Sequence, residues 1–224
     1  MRKILVTLIL SLFTIGTASA EIGVNVGISG QLGLFAASAT EKDTGSHGTT
    51  TGDDETNSDS DFIGLGYASI FIEKELGPLT IGVDYVPDAL ETETAEQTTT
   101  DKTTSATAAS VTNKVQVDFE DLTTVYAALN LGESGAYVKA GHVMVDINTN
   151  ESLGTGSTYG NTDITGVALG VGYSNDFGNG MFIRAEGTYM EFDGTSLTSS
   201  SGSQKITLDN LDGVTGKISV GKSF

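Results

Sequence analysis

The stretch Ile22-Gly23-Val24-Asn25-Val26-Gly27-Ile28-Ser29-Gly30-Gln31-Leu32-Gly33-Leu34 decides the fold. Ile22, Val24, Val26, Ile28, Leu32, Leu34 and then Ala36 fall on alternate positions, and Gly23, Asn25, Gly27, Ser29, Gln31 and Gly33 sit between them. Successive side chains of an extended chain point to opposite faces, so this is a strand with one apolar face and one small or polar face. It is also long, since strands of soluble domains run to roughly 5–6 residues.

The same period of two recurs along the chain. Ile63, Leu65, Tyr67 and Phe71 alternate with Gly64, Gly66 and Ala68, which puts the first four on the apolar side. Leu76-Gly77-Pro78 marks a turn, after which Leu79, Ile81, Val83 and Tyr85 alternate with Thr80, Gly82 and Asp84. Val115, Val117 and Phe119 lead on to Val125, Ala127 and Leu129, but Asp121 and Thr123 occupy the apolar register, which marks a bulge or an end of the apolar band. From Ala136 to Ile147 two faces compete: Val138, Ala140 and Met144 against Val143, Val145 and Ile147. Val167, Leu169, Val171 and Tyr173 form another apolar face, as do Met181, Ile183, Ala185 and Tyr189. Val214, Ile218, Val220 and Phe224 close the series, with Thr215, Lys217 and Ser219 opposite. Eight strands are expected.

The connections between them alternate in length. Residues 38–61 and 87–113 are long and rich in Thr, Ser, Asp and Glu, and residues 148–161 and 193–205 are shorter polar loops. Tight turns at Gly77-Pro78, Gly132–Gly135 and Asn175–Gly180 separate them. A soluble β-sandwich lacks this strict rhythm and needs large side chains to fill a dry core. A closed antiparallel up-and-down transmembrane β-barrel needs the opposite pattern, apolar side chains toward lipid and polar ones toward the lumen. Closure also satisfies every backbone N–H and C=O where water is absent. The expected fold is therefore all-β, an eight-stranded antiparallel up-and-down transmembrane β-barrel.

Composition and the N-terminus agree with an exported membrane protein. Met1-Arg2-Lys3 is a short positive region, Ile4 to Ile15 is apolar, and Ala18-Ser19-Ala20 fits a secretory cleavage site. Residues 1–20 read as a signal peptide and 21–224 as the barrel; twelve apolar residues are too few to span a bilayer, which takes about 20. Cleavage after Ala20 would take the net charge from −18 to −20. Such an acidic chain argues against nucleic-acid binding. The absence of Cys excludes disulfides, thiolate metal sites and cysteine nucleophiles.

With its signal peptide, amphipathic strands and closing strand Val214-Thr215-Gly216-Lys217-Ile218-Ser219-Val220-Gly221-Lys222-Ser223-Phe224, the chain resembles the small outer-membrane barrels of the OmpA/OmpX type. The resemblance covers Glu21 to Phe224 and includes no periplasmic domain. It implies residence in the outer membrane of a Gram-negative cell, contact with outer-membrane lipid, and recognition of the C-terminal strand ending at Phe224 by the outer-membrane assembly machinery. Lys222 departs from the family pattern, which places an aromatic or apolar residue there.

Candidate chemistry is sparse. His47 reads as a solvated loop histidine. His142 shares a strand face with Ala140 and Met144, and an outer-membrane enzyme with a rim site near His142 would need a nucleophile and an orienting group that no motif supplies. The expectation is a non-enzymatic protein without catalytic, cofactor or metal residues; the spacing of Asp53-Asp54-Glu55 does not match a Ca²⁺-binding loop. Arg184, Glu186, Lys139, Lys217, Asp118, Glu120 and Asp84 read as lumen charges that pair and plug the barrel, with a narrow porin-like channel as the alternative. Residues 38–61 and 87–113 carry twelve carboxylates against Lys42 and Lys102 and read as acidic, solvated surface loops with a structural or surface-interaction role and an unidentified ligand. Phe35, Phe62, Tyr85, Phe177, Phe182, Phe192 and Phe224 fall at strand ends, as interfacial girdles do.

Overall fold

A computed structural model describes residues 23–43, 55–102, 108–153, 158–200, 202 and 204–224. The signal-peptide residues 1–20, His47 and Asp53-Asp54 lie outside the described residues. The chain forms β1 (Val24–Asp43), β2 (Glu55–Leu76), β3 (Leu79–Tyr85), β4 (Leu90–Glu91), β5 (Ala95–Lys102), β6 (Ala108–Asn130), β7 (Ala136–Ser152), β8 (Thr162–Asp176), β9 (Met181–Phe192), β10 (Thr195–Thr198) and β11 (Gln204–Ser223). All pairings are antiparallel. β3, β4 and β5 follow one another along β6, and β10 continues past β9 along β11, so the eleven segments make eight staves. β1 pairs with β11 from Asn25↔Ser223 to Asp43↔Gln204, which closes the ring.

Parity then assigns every stave two faces. Ile28, Leu32, Leu34, Val167, Leu169 and Ile218 are among the exposed apolar residues that form an outer belt. Asn25, Ser29, Gln31, Thr188, Lys217 and Ser219 point inward and are buried. The tight turns form where expected. At Gly77, φ is 68°, a left-handed conformation that glycine adopts without steric cost, and it joins β2 to β3.

The bulge expected near Asp121 is present. The β6–β7 register shifts between Glu120 and Thr123, and Asp121 has φ 52°. The extra residue reverses the parity of β6. Val125 and Leu129 face outward and Leu122, Thr124 and Tyr126 inward, whereas before the bulge Phe119 turns into the barrel. On β7 the competition resolves with Val143, Val145 and Ile147 inside.

Several sequence expectations change. Tyr67 and Phe71 of β2 are buried inside the barrel, and Leu65 packs against its core, so the apolar face of β2 is the inner one. The lumen is consequently not polar throughout, because its loop-side half is apolar. Phe35, Phe182 and Phe192 are buried in the interior instead of forming a girdle, while Phe62 and Phe177 are exposed. Much of residues 38–61 and 87–113 is strand: β1 runs to Asp43, β2 starts at Glu55, and β5 pairs with β6. Hydroxyl pairs such as Thr40–Ser58 (3.1 Å) and Thr98–Thr112 (3.1 Å) lace these ladders across strands, a role polar β-formers fill well.

Candidate functional site

The lumen is layered along its axis. At the turn end a vestibule of about 980 Å³ opens between the turns. Above it lie charges supplied by β2, β3, β7, β9 and β11. Glu186 accepts hydrogen bonds from Tyr137 (2.9 Å), Thr188 (3.0 Å) and Lys139, and pairs with Lys217 at 2.9 Å. Lys217 also reaches Asp84 at 3.3 Å. Beside this cluster, Arg184 pairs with Glu73 at 2.6 Å and lies over the Phe182 ring at 4.3 Å. Glu73 further accepts from Tyr126 (2.6 Å) and Asn25 (3.2 Å). Charges taken out of water demand this degree of pairing, because an uncompensated ion in a low-dielectric interior is costly.

Five of the seven expected lumen charges are therefore brought together: Arg184, Glu186, Lys139, Lys217 and Asp84. Arg184 and Glu186 share the lumen face, but each finds its partner on another strand. Asp118 and Glu120 fall on the face of β6 opposite Phe119 because they precede the bulge, and Asp118 accepts from Asn150 at 2.6 Å. Glu73 was not anticipated. Its register follows Ser69 and Phe71 on β2, and a carboxylate in line with an apolar series was the available sign that this face turns inward.

Toward the loop end the interior becomes apolar. Phe35, Val86, Leu90, Leu122, Val143, Val145 and Ile164 belong to one buried cluster with Met190, Phe192 and Leu211. They pack closely enough to leave a cavity of about 30 Å³ bounded by Phe35, Ile63, Leu65, Leu90, Phe119 and Leu122, among others. The backbone ladder beside this chamber is incomplete. β2 pairs with β3 only from Leu76↔Leu79 to Ile70↔Tyr85. Beyond Tyr85 the chain stays with β6, through Val86 N–H to the Leu122 carbonyl (2.9 Å) and then β4 and β5, while β2 continues along β1. Among the described residues the upper part of β2 therefore has a ladder on one side only. This gap runs level with Leu32 and Leu34 of the outer belt, which pair with Gly66 and Gly64. Irregular backbone is tolerated at membrane depth where it borders a cavity, as Val86 does here.

Among the described residues, none places a nucleophile beside His142. It is exposed on the outer face of β7, directly between Val125 of β6 and Val167 of β8. Among the described residues no group of His, Asp and Glu is arranged to hold a metal ion. Phe224 closes the outer edge of the ring: its N–H donates to the Val24 carbonyl (2.9 Å), and the Val24 N–H donates back at 3.3 Å.

No family model matches the sequence, and no curated protein matches it. Solved structures do. The outer membrane protein OprG from Pseudomonas aeruginosa is 12% identical with a TM-score of 0.51, over 92% of this chain and 98% of that one. Ail, the attachment invasion locus protein of Yersinia pestis, is 15% identical with a TM-score of 0.41, over 88% and 99%. The closed ring of eight staves, its outer apolar belt and its likeness to OprG together give this chain the fold of the small outer-membrane β-barrels.

Proposed function

We propose that the protein is an integral outer-membrane barrel of a Gram-negative cell, closed along its axis and open sideways to small apolar molecules. The observation that carries this reading is the β2–β3 seam. It ends at Ile70 and Tyr85, level with the outer belt, and an apolar chamber lies behind it. The charged layer beneath the chamber favours a closed axis over a narrow porin-like channel, since its ions are already paired across the lumen. An apolar solute entering from the loop end meets this layer as a floor and leaves through the gap into lipid. Entry displaces chamber side chains, because the described residues leave a cavity of only about 30 Å³ there. The reading is non-enzymatic, which the outward placement of His142 supports. A signal peptide over residues 1–20 and recognition of the strand ending at Phe224 by the assembly machinery belong to the same reading. A surface-interaction role for the acidic segments stands beside it, supported by the ladder that carries β1 and β2 to Asp43 and Glu55.

Proteoliposomes containing the protein should take up n-octane faster than empty liposomes, while planar-bilayer recordings show no step conductance. Uptake equal to that of empty liposomes would sink the sideways path, and regular conductance steps would sink the closed axis.

A further inference from the structure

The geometry points to a ligand-reading position at the floor of the apolar chamber: Tyr67 offers its hydroxyl to the single neutral polar end group, an alcohol or carbonyl, of an otherwise apolar ligand. This inference rests on the sideways-path reading and names its substrate class. Tyr67 is 9% exposed, and its hydroxyl has no hydrogen-bond partner among the described residues. Burying a hydroxyl unpaired is unfavourable, so such a group is a candidate for pairing with a ligand. Tyr67 stands where the two halves of the lumen meet. Its row across β1 is Tyr67–Gln31–Lys217, and the next row toward the loop end is Leu65–Gly33–Thr215. Thr215 Oγ1 is likewise buried and unpartnered among the described residues.

A cavity of about 10 Å³ adjoins Tyr67, bounded below by Lys217, Lys139, Asp84 and Glu186 and above by Leu122. That space accepts one oxygen atom, since a water needs a similar volume. Leu122 lines both this space and the larger apolar cavity and stands between them, so displacing its side chain would join the two. A ligand tail lying among Phe35, Leu65 and Phe119 would present its end group to Tyr67. The charge balance selects the end group. Lys139 and Lys217 are offset by Asp84 and Glu186, so an incoming carboxylate would find no spare cation and would pay its full desolvation cost. A phenol hydroxyl both donates and accepts, which suits an alcohol or a carbonyl equally.

The test uses the chain and its Tyr67→Phe variant refolded into lipid nanodiscs, with n-octane, 1-octanol and octanoate titrated against protein-free nanodiscs as reference. The wild-type chain should bind 1-octanol about tenfold more tightly than n-octane, the effect of one hydrogen bond to an otherwise unsatisfied group. It should bind octanoate more weakly than octanol. Tyr67→Phe should abolish the preference for octanol over n-octane. The wild-type comparison tests the proposal even if the variant fails to fold. Equal binding of octane and octanol, an octanol preference that survives Tyr67→Phe, or tighter octanoate binding would overturn the inference while leaving the apolar chamber intact. If neither octane nor octanol binds, both this inference and the sideways path fail.

Discussion

Glu186 receives four side chains, Lys139, Lys217, Tyr137 and Thr188, and so ties β7, β9 and β11 together at one carboxylate. Glu186→Gln should leave two buried ammonium groups facing Asp84 alone, a loss of about 3–5 kcal/mol. Denaturant unfolding in detergent micelles would measure it; an unchanged midpoint would mean that water already screens the cluster. Arg184→Ala should act on Glu73, and the double variant with Glu73→Gln should recover part of the loss. Glycine has a comparably local meaning. Gly27, Gly82, Gly172, Gly213 and Gly221 each lie directly opposite an aromatic residue on the next strand: Phe71, Tyr126, Tyr137, Phe35 and Phe182. The rings lie over the bare backbone, so that a Cβ at Gly221 would come within 2.3 Å of Phe182. Gly221→Ala should cost about 1–3 kcal/mol. Gly216→Ala, with nothing within 4 Å of the added atom, should leave the unfolding midpoint within about 0.5 kcal/mol of wild type.

At the scale of the strand, what could be read from the sequence depended on contrast between faces. On β3, on β8 from Gly166 to Gly172 and on β11 from Gly213 to Gly221, large apolar side chains lie outside and Thr, Ser, Lys, Asp or small residues inside, so orientation follows from alternation alone. β9 puts Ile183, Ala185 and Tyr189 outside but carries Phe182, Met190 and Phe192 inside with Arg184, Glu186 and Thr188. β2 does not offer that contrast. Its inner residues Leu65, Tyr67 and Phe71 serve the apolar chamber, and its outer face holds Gly64, Gly66 and Ala68, so hydrophobicity points the wrong way. Ser69 and Glu73, in the same register, are the residues that mark the inner face. The charged layer was legible as a set of lumen residues but not as pairs, because ion pairs across a barrel join strands far apart in sequence. On β6, Asp121 was readable as an interruption, and it sets the orientation of everything before it. Its carboxylate accepts from the Tyr85 hydroxyl at 2.5 Å. Deleting Asp121 removes the extra residue and leaves Phe119, Glu120 and Leu122 in strict alternation with Phe119 and Leu122 still inward. The compact band in unboiled gel samples should therefore persist, and the loss should be limited to the hydrogen bond from Tyr85, about 0.5–1.5 kcal/mol. Asp121→Gly keeps the left-handed conformation and should retain that band, with stability within about 1.5 kcal/mol of wild type.

For the molecule as a whole, export and stability separate at Phe224. Phe224→Ala preserves the backbone bonds to Val24 and removes only an outer ring. Refolding in vitro should change little, whereas outer-membrane levels in cells should fall if the assembly machinery reads the ring. Equal insertion of both chains would refute that role. The ring of strands also has an uneven mechanical strength. Its terminal seam, β1 with β11, is laddered from Asn25 to Asp43, while β2 and β3 are joined only between Ile70 and Leu76. A barrel pulled apart or warmed tears first along its shortest row of bonds, so this cylinder should split between its second and third strands and not where the chain's two ends meet. Amide protons of Ile81 and Val83 should then exchange with solvent sooner than those of Leu32 and Val214, and the opened intermediate should remain a curled sheet held shut at its termini.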